Sequence, residues 1–569
     1  MNKNVMLIDK IPVPIEGEKN ILELCRKAGI DMPTFCYYSE LSVYGACRMC
    51  MVEDDRGNMH AACSTPPKAG MSVVTNSARL RKYRKNILEL LLANHCRDCT
   101  TCEKSEGCKL KELARRFYIE DVRFPNGKTE PQKDESSVSI SIDHSKCILC
   151  GDCVRMCNEV QNVGAIAFIG RGSHMEVGTA FNVPINDTNC VGCGQCSAVC
   201  PTGAIVVQKN VDRTWAAIYD PNTYVVAQIA PAVRVGIAKE LGEENGFMAT
   251  GKIFAAMRRM GFNRVFDTTT GADMTVVEEG NEFIERLGKG EKLPLFTSCC
   301  PAWIRYAESK HPELLENISS CRSPMQMFGS VIKEHYENDP DLKGKKIFSI
   351  AVMPCTAKKY EAIRPEFKRA DGTDTIDAVI TTQELVQMIR EAGIHFDEIQ
   401  PESPSLPFGG TSGAGVIFGV TGGVTEAVLR YANSDKTYSA LREIAQSGVR
   451  GLEGVKEMVY DLGETQLKIA MVSGLGNAEK LIQKIQAGEA DYHLVEVMAC
   501  PNGCVSGGGQ PFAHGDEKQQ RADNLYKTDG LTQIKRSEEN PILGEIYARY
   551  IGSRSHELLH VHYHPKHED

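Results

Sequence analysis

Three short apolar runs in this chain each end in cysteine: Leu293 to Cys300 (LPLFTSCC), Ile347 to Cys355 (IFSIAVMPC) and His493 to Cys500 (HLVEVMAC). The last is followed at once by Pro501, Asn502, Gly503 and Cys504. Runs of this length, rich in Val, Ile, Leu, Phe and Met and closed by Pro or Gly, predict buried strands. A helix-like or Gly-rich segment follows each, and buried strands alternating with helices make a parallel sheet. Ligands of such sheets sit beyond the carboxyl ends of the strands, so thiols from distant parts of the chain can converge on one point. Core packing would explain Cys300 or Cys355 singly, since free cysteine is among the most buried residue types. It gives no reason for cysteine at every strand end beside Pro or Gly. Thiolates gathered in this way bind soft metal, here an iron-sulfur cluster.

The 569-residue length predicts about four domains. With 65 basic against 74 acidic residues the net charge is -9, which excludes a nucleic-acid binder. No apolar signal core follows the opening MNKNVMLIDK, and no apolar run reaches the roughly 18 residues of a membrane span. The expectation is a cytoplasmic protein, neither exported nor membrane-bound. In that setting 23 cysteines grouped in C-x2-C steps indicate metal rather than disulfides.

Residues 4–14 read as a hairpin and Ile21 to Ala28 as a helix with Leu22 and Cys25 on one face, which makes Cys25 a core residue. Cys36, Cys47, Cys50 and Cys63 follow in a C-x10-C-x2-C-x12-C pattern, with small Gly45 and Ala46 letting the loop approach inorganic sulfur. The spacing departs from the plant-type ferredoxin run, yet four thiols on a loop-rich β module imply a cluster. Residues 79–94 predict an amphipathic helix with a basic face of Arg79, Arg81, Lys82, Arg84 and Lys85. That face is solvated, or it docks an acidic electron carrier. The helix runs into His95, Cys99, Cys102 and Cys108, spaced H-x3-C-x2-C-x5-C, in which the His is a candidate fourth ligand; Cys96 has no assigned role.

A polar linker is expected over Pro125 to Ser137. Cys147, Cys150, Cys153 and Cys157 are then answered by Cys190, Cys193, Cys196 and Cys200, an internal repeat of C-x2-C-x2-C-x3-C. This is the bacterial two-cluster ferredoxin pattern, in which the fourth cysteine of each run serves the other cluster. One cubane then takes Cys147, Cys150, Cys153 and Cys200, and the other Cys190, Cys193, Cys196 and Cys157. From about residue 213 the pattern turns α/β, with strands at Tyr224 to Pro231 and Arg264 to Asp267 and helices at Gly251 to Met260 and Asp273 to Leu287. Gly474-Leu475-Gly476 begins like a dinucleotide fingerprint, but Glu479 holds the third glycine position, so a plain strand-to-helix turn is expected.

The segments TSCCPAW (Thr297 to Trp303), MPCTAKK (Met353 to Lys359) and EVMACPNGCVSGGGQP (Glu496 to Pro511) resemble the three signature motifs of the iron-only (FeFe) hydrogenases. With the cysteine modules, the resemblance covers nearly the whole chain and is nearest to the clostridial, multi-cluster, ferredoxin-linked type. The resemblance implies an α/β catalytic domain with parallel sheets at 213–569. Small α+β ferredoxin-like domains precede it: a β-grasp 2Fe-2S domain at 1–78, a His/Cys3 4Fe-4S domain at 79–125 and a two-cluster 4Fe-4S domain at 138–209.

It implies an active-site cubane on Cys300, Cys355, Cys500 and Cys504, with Cys504 bridging to a di-iron centre that carries CO, cyanide and a dithiolate amine bridge. Cys299 becomes a free thiol at the open iron. By spacing alone Glu279, Glu282 and Arg286 share one helix face, as a surface ion-pair stripe would; the resemblance makes them, with Ser319, a proton relay ending at Cys299. Lys358 is expected to donate to a cyanide. Pro231, Ala232, Pro324, Met353, Met498 and Phe418 should surround the di-iron unit, and Gly507, Gly508 and Gly509 should let backbone approach the cluster.

The implied cofactors are one 2Fe-2S cluster, four 4Fe-4S clusters and the di-iron centre. The implied reaction is reversible reduction of protons to dihydrogen, with ferredoxin as partner, dedicated maturation proteins and a monomeric chain. Asn502, Met325 and Ala232 stand where the family usually has Gly, Gln and Ser. Three other readings compete: an electron-transfer subunit like that of complex I, which gives no reason for TSCCPAW; a sensory hydrogenase-like protein, which should carry a signalling domain; and a subunit of a flavin-based bifurcating complex.

Overall fold

A computed structural model describes residues 4–124, 132–243, 249–463, 465–513 and 515–566. Most of the linker expected at Pro125 to Ser137 lies outside the described residues; within the remainder, Lys133–Asp134 pairs as a short strand with Asp143 and Ile142. The chain forms two compact units: Met1–Val160 with Gly164–Thr188 and Val199–Val206, and Gln161–Val163 with Asn189–Ala198 and Val207–Asp569.

The first unit opens with the expected hairpin, Val5–Ile8 against Ile11–Pro14. It belongs to a five-stranded mixed sheet completed by Ser72–Val74, Met51–Asp54 and Met59–Ala61. Helix Ile21–Lys27 buries Ile21, Leu22, Leu24 and Cys25 on this sheet, so Cys25 is a core residue as expected. Helix Ala78–Ala93 starts at Ser77, whose side chain accepts from the Leu80 amide, as an N-cap serine does.

One member of the expected basic face is not on it. Arg84 is 3% exposed, because Leu80, Arg84 and Leu88 recur every fourth residue and share the buried stripe. Its guanidinium donates to the carbonyls of Met49 (3.1 Å) and Met51 (2.7 Å), fixing the loop that carries Cys47 and Cys50.

The second unit is built on two four-stranded sheets, in keeping with the parallel sheets that the resemblance implies. The first runs Arg264–Asp267, Thr223–Ile229, Lys346–Met353, Ala378–Thr381, all parallel. The second runs Leu295–Phe296, Leu494–Met498, Thr465–Ser473, Val455–Leu462; its first three strands are parallel and the last is antiparallel. The antiparallel edge alternates exposed and buried residues along Val455–Leu462, the pattern of a strand with one wet face. The run at Leu293 to Cys300 supplies only a two-residue strand; the rest is extended loop entering helix Pro301–Lys310.

Helix Thr269–Lys289 is longer than the expected Asp273 to Leu287 and buries eleven of its residues, Glu279 among them. The C-terminal segment returns to the core, where Val561 N donates to Ser320 O (2.7 Å) and Arg322 N to Leu559 O (2.7 Å). Among the described residues no helix is long and apolar enough to cross a membrane.

Arg84→Met should destabilise the N-terminal module by about 2 kcal/mol or more, since two buried carbonyls lose a charged donor. Denaturant unfolding of the full chain, followed by the signal of this module, checks it; an unchanged midpoint contradicts the role assigned to Arg84.

Candidate active site

The signature cysteines come from both sheets. Cys355 follows strand Lys346–Met353 of the first, while Cys300 and Cys500 follow Leu295–Phe296 and Leu494–Met498 of the second. Cys300 is the N-cap of helix Pro301–Lys310, with Pro301 as its first residue, where a missing N–H costs nothing. The Cys300 sulfur accepts from the Ala499 amide (3.4 Å), which ties the first motif to the third.

Beyond Cys500 the chain reverses through Asn502 (φ 69°) and Gly503 (φ 86°), bringing Cys504 back. Left-handed backbone is open to Gly and tolerated by Asn, so Asn502 fits the position where the family usually has Gly. At Gly503 a Cβ would stand 2.7 Å from the Thr421 amide nitrogen, so no side chain fits.

Burial pushes all four thiols above their usual range, Cys355 up to about 12, and neighbouring thiolate charge pushes the same way at Cys355, Cys500 and Cys504. Four thiols that resist ionising beside one another, Cys500 buried and the others half-buried, form a donor set that a soft cationic centre completes. Among the described residues no group of three or more His, Cys, Asp or Glu is placed to hold a single metal ion; cysteines around a four-iron cluster ring a much bulkier core.

Gly507, Gly508 and Gly509 each lie against neighbouring chain. A Cβ would meet Pro354 O at 2.1 Å, Cys193 O at 2.4 Å and Thr381 Cγ2 at 2.7 Å respectively. The glycines therefore let the loop after Cys504 pack on the Cys355 and Cys193 loops.

Helix Thr269–Lys289 places Glu279, Glu282 and Arg286 along one side. Glu279 is fully buried, and neither carboxyl oxygen has a hydrogen-bond partner among the described residues. Burial, with the charge of Glu282, pushes its pKa up to about 8; Ser319 and the Ser298 amide lie near enough to oppose this without completing a hydrogen bond. Glu282 is the opposite case. It pairs with Arg286 (2.5 Å) and accepts from Ser319 Oγ (2.9 Å) and Ser320 N (3.0 Å). Arg286 also donates to the carbonyls of Glu316, Asn317 and Ile318, clamping the segment that presents Ser319. Cys299 is half-buried; burial raises its thiol and the Glu279 charge is the next largest influence.

Lys358 donates to the Cys299 carbonyl (3.2 Å) and pairs with Glu361 (2.6 Å). Phe418 and Met498 lie in the apolar cluster that touches Cys299, whereas Met353 lies in another that contains Met325. Met325 is thus a core residue where a Gln would project an amide. Ala232, buried, gives its carbonyl to Gln510 Nε2 (2.7 Å), and Pro231 O accepts from Arg234 (2.9 Å). Pro324 begins helix Pro324–Glu337. Reading motifs missed Gln326, which is fully buried with both amide atoms unpartnered among the described residues. It also missed Glu361. A buried polar residue beside a motif is the signal that could have found them.

Residues 223–508 match the family described as "Iron only hydrogenase large subunit, C-terminal domain". The chain is 41% identical to NADP-reducing hydrogenase subunit HndD of Solidesulfovibrio fructosivorans over 581 residues, 99% of each chain. It is 37% identical to Iron hydrogenase 1 of Clostridium pasteurianum over 571 residues, 98% of this chain and 99% of that one. This chain belongs to the iron-only hydrogenase family.

A solved structure of [FeFe]-hydrogenase HydA1 from Chlamydomonas reinhardtii is similar at 38% identity and a TM-score of 0.53, covering 63% of this chain and 99% of that one. The remainder of this hydrogenase matches iron-sulfur modules: a 2Fe-2S cluster binding domain at 5–78, an NADH-ubiquinone oxidoreductase-G iron-sulfur binding region at 84–123 and a 4Fe-4S dicluster domain at 146–204. Residues 515–566 match the iron hydrogenase small subunit.

The accessory sites of the hydrogenase suit such clusters. The Cys63 thiol is raised first by its hydrogen bond with Cys50, then by burial and by the charges of Cys50, Cys36 and Cys47, so the four lie close together. His95 is 6% exposed; its Nδ1 accepts from the Arg97 amide (3.1 Å) while its buried Nε2 has no partner among the described residues. Burial lowers its pKa, keeping the ring neutral as a metal ligand must be. Cys147, Cys150, Cys153 and Cys200 line one cavity in the first unit. Cys193 lies in the catalytic unit close enough to Cys500 for the two charges to interact.

The raised carboxyl of Glu279 carries a stability signature. The folded state holds its proton from about 4.5 up to about 8, so stability is full below pH 4.5 and falls as pH rises toward 8. Glu279→Gln should flatten that fall in thermal unfolding scans across this range. A variant as pH-sensitive as the parent contradicts the assignment.

Proposed function

We propose that this hydrogenase reversibly reduces protons to dihydrogen with electrons from reduced ferredoxin, through one 2Fe-2S and three accessory 4Fe-4S clusters. Cys300, Cys355, Cys500 and Cys504 are the ligands of the active-site cubane, and Cys299 carries protons. When bound, the six-iron cofactor supplies an open iron where electrons, protons and dihydrogen interconvert.

The chain's own residues do the rest. Glu282, salt-bridged to Arg286 and bonded to Ser319, leads into the relay; Glu279, desolvated with a pKa near 8, holds a proton at neutral pH; Cys299 exchanges it with the site. A proton donor or acceptor works best with a pKa near the operating pH, which suits Glu279 to pass protons either way. Lys358, fixed by Glu361, holds a positive charge beside the Cys299 carbonyl. The single observation that carries the reading is the buried convergence of four thiols from three separate strand ends beside a protonated, unpartnered glutamate.

A second reading follows from the relative named as an NADP-reducing hydrogenase subunit, matched over 99% of both chains. On that reading the chain works in a larger assembly whose partner handles the nucleotide. Glu479, at the third position of the Gly474 turn, accepts from Tyr306 (2.7 Å) and pairs with His311 (2.8 Å), so it serves packing. Gel filtration of the native protein, with assays against ferredoxin and NADP, separates the two readings.

The matured protein should hold about 20 iron per chain, and protein made without the family's maturation machinery about 18 and no activity. Cys299→Ala should keep that iron yet lose orders of magnitude in both evolution and uptake of dihydrogen, because one relay serves both directions. Loss of iron would make Cys299 a ligand, and full activity would move the proton path elsewhere.

A further inference from the structure

Two modules of the first unit pack against the module that carries Cys147, Cys150, Cys153 and Cys200, and they do so through separate contacts. The His95 module touches it from one side: Lys109 N donates to Pro201 O (3.0 Å), Cys96 N to Ser145 O (3.0 Å), and a Cβ on Gly203 would stand 2.8 Å from the Cys102 sulfur. The 2Fe-2S module meets it at Arg155, Tyr44 and Ser42.

Arg155 is 8% exposed and ends the short helix Asp152–Arg155, two residues after Cys153. Its guanidinium donates to the carbonyl of Cys36 (3.0 Å) and to that of Ser42, pairs with Asp152, and lies over the Tyr44 ring at 5.3 Å. Its own amide bonds back to Gly151 O (3.0 Å).

We propose that Arg155 is the electron bridge between the 2Fe-2S site of Cys36, Cys47, Cys50 and Cys63 and the cubane site of Cys147, Cys150, Cys153 and Cys200. Electronic coupling falls far more steeply across a gap than along bonds and hydrogen bonds. Arg155 supplies such a route: from Cys36 through its carbonyl and the guanidinium N–H, then along one side chain to backbone that carries Cys153.

Docking does not depend on it alone. Ser42 also bonds Glu159 by its amide (3.1 Å) and hydroxyl (2.6 Å), and Tyr44 stacks on Phe168 at 6.2 Å. Both rings press on Gly151, where a Cβ would come within 3.1 Å of Phe168 and 3.2 Å of Tyr44. The step moves one electron. The reduced cubane is oxidised by one and the oxidised 2Fe-2S cluster reduced by one, with dihydrogen oxidation at the active site as the source and no proton transferred. Arg155 is a positioning residue for one of two branches, and the His95 branch does not use it.

This inference rests on the ligand assignments above. The test is rapid-freeze electron paramagnetic resonance of the matured full chain mixed with dihydrogen. In the parent the 2Fe-2S signal should rise with the cubane signals. In Arg155→Gln it should rise slower by about an order of magnitude, reaching the parent's final intensity while the cubane signals keep their rate. Arg155→Lys, which keeps the charge but cannot reach both carbonyls, should also be slowed, and covers the case in which the Gln variant loses its cluster. Glu159→Gln, which loosens the hold on Ser42 but leaves the bond from Arg155 to the Cys36 carbonyl in place, should behave as the parent. A parental rate in both Arg155 variants, or equal slowing in Glu159→Gln, overturns the bridge. A parent protein with no 2Fe-2S signal at all overturns the ligand assignment instead.

Discussion

The constraint that governs this molecule is electrostatic: thiolates repel, and burying several together without a cation is prohibitively costly. At Cys300, Cys355, Cys500 and Cys504 burial alone raises the thiols, and neighbouring charge raises the last three further. The chain nevertheless spends strand ends, a helix N-terminus and a left-handed turn on bringing them together. Such a site is finished by metal, and its loops must be held by the rest of the fold until metal arrives. The glycines at 507–509 do part of this, packing the Cys504 loop against those of Cys355 and Cys193.

The same low dielectric separates two glutamates one helical turn apart. Glu282 is given a cation, a hydroxyl and an amide, and Glu279 is given nothing. Burial without a partner makes Glu279 an acid near neutral pH, a property that environment rather than residue type imposes. Arg286 takes part twice, pairing with Glu282 and clamping the segment that offers Ser319.

Much of this was legible in the chain. Cysteine spacing marks the metal modules because a cluster needs fixed ligand intervals, and strand-end cysteines mark the active site because parallel sheets present their carboxyl ends. The helix face of Glu279, Glu282 and Arg286 followed from period alone, but its role did not, since a surface stripe has the same spacing. What stayed hidden depends on long-range packing. The division of strands between the two sheets, the two-residue strand at Leu295–Phe296 and the inward turn of Arg84 are all set by partners far away in sequence. Asn502 looked like a departure until its φ of 69° showed a position that Asn tolerates.

The central claim is that four thiols from three motifs hold one cubane that shares Cys504 with a further pair of irons. Diffraction from crystals of the matured protein at the iron absorption edge tests it most directly. The account predicts a compact four-iron group ringed by Cys300, Cys355, Cys500 and Cys504, with two more irons beyond Cys504 on the side of Cys299. Iron ligated by Cys299, or no iron among these four cysteines, would contradict it.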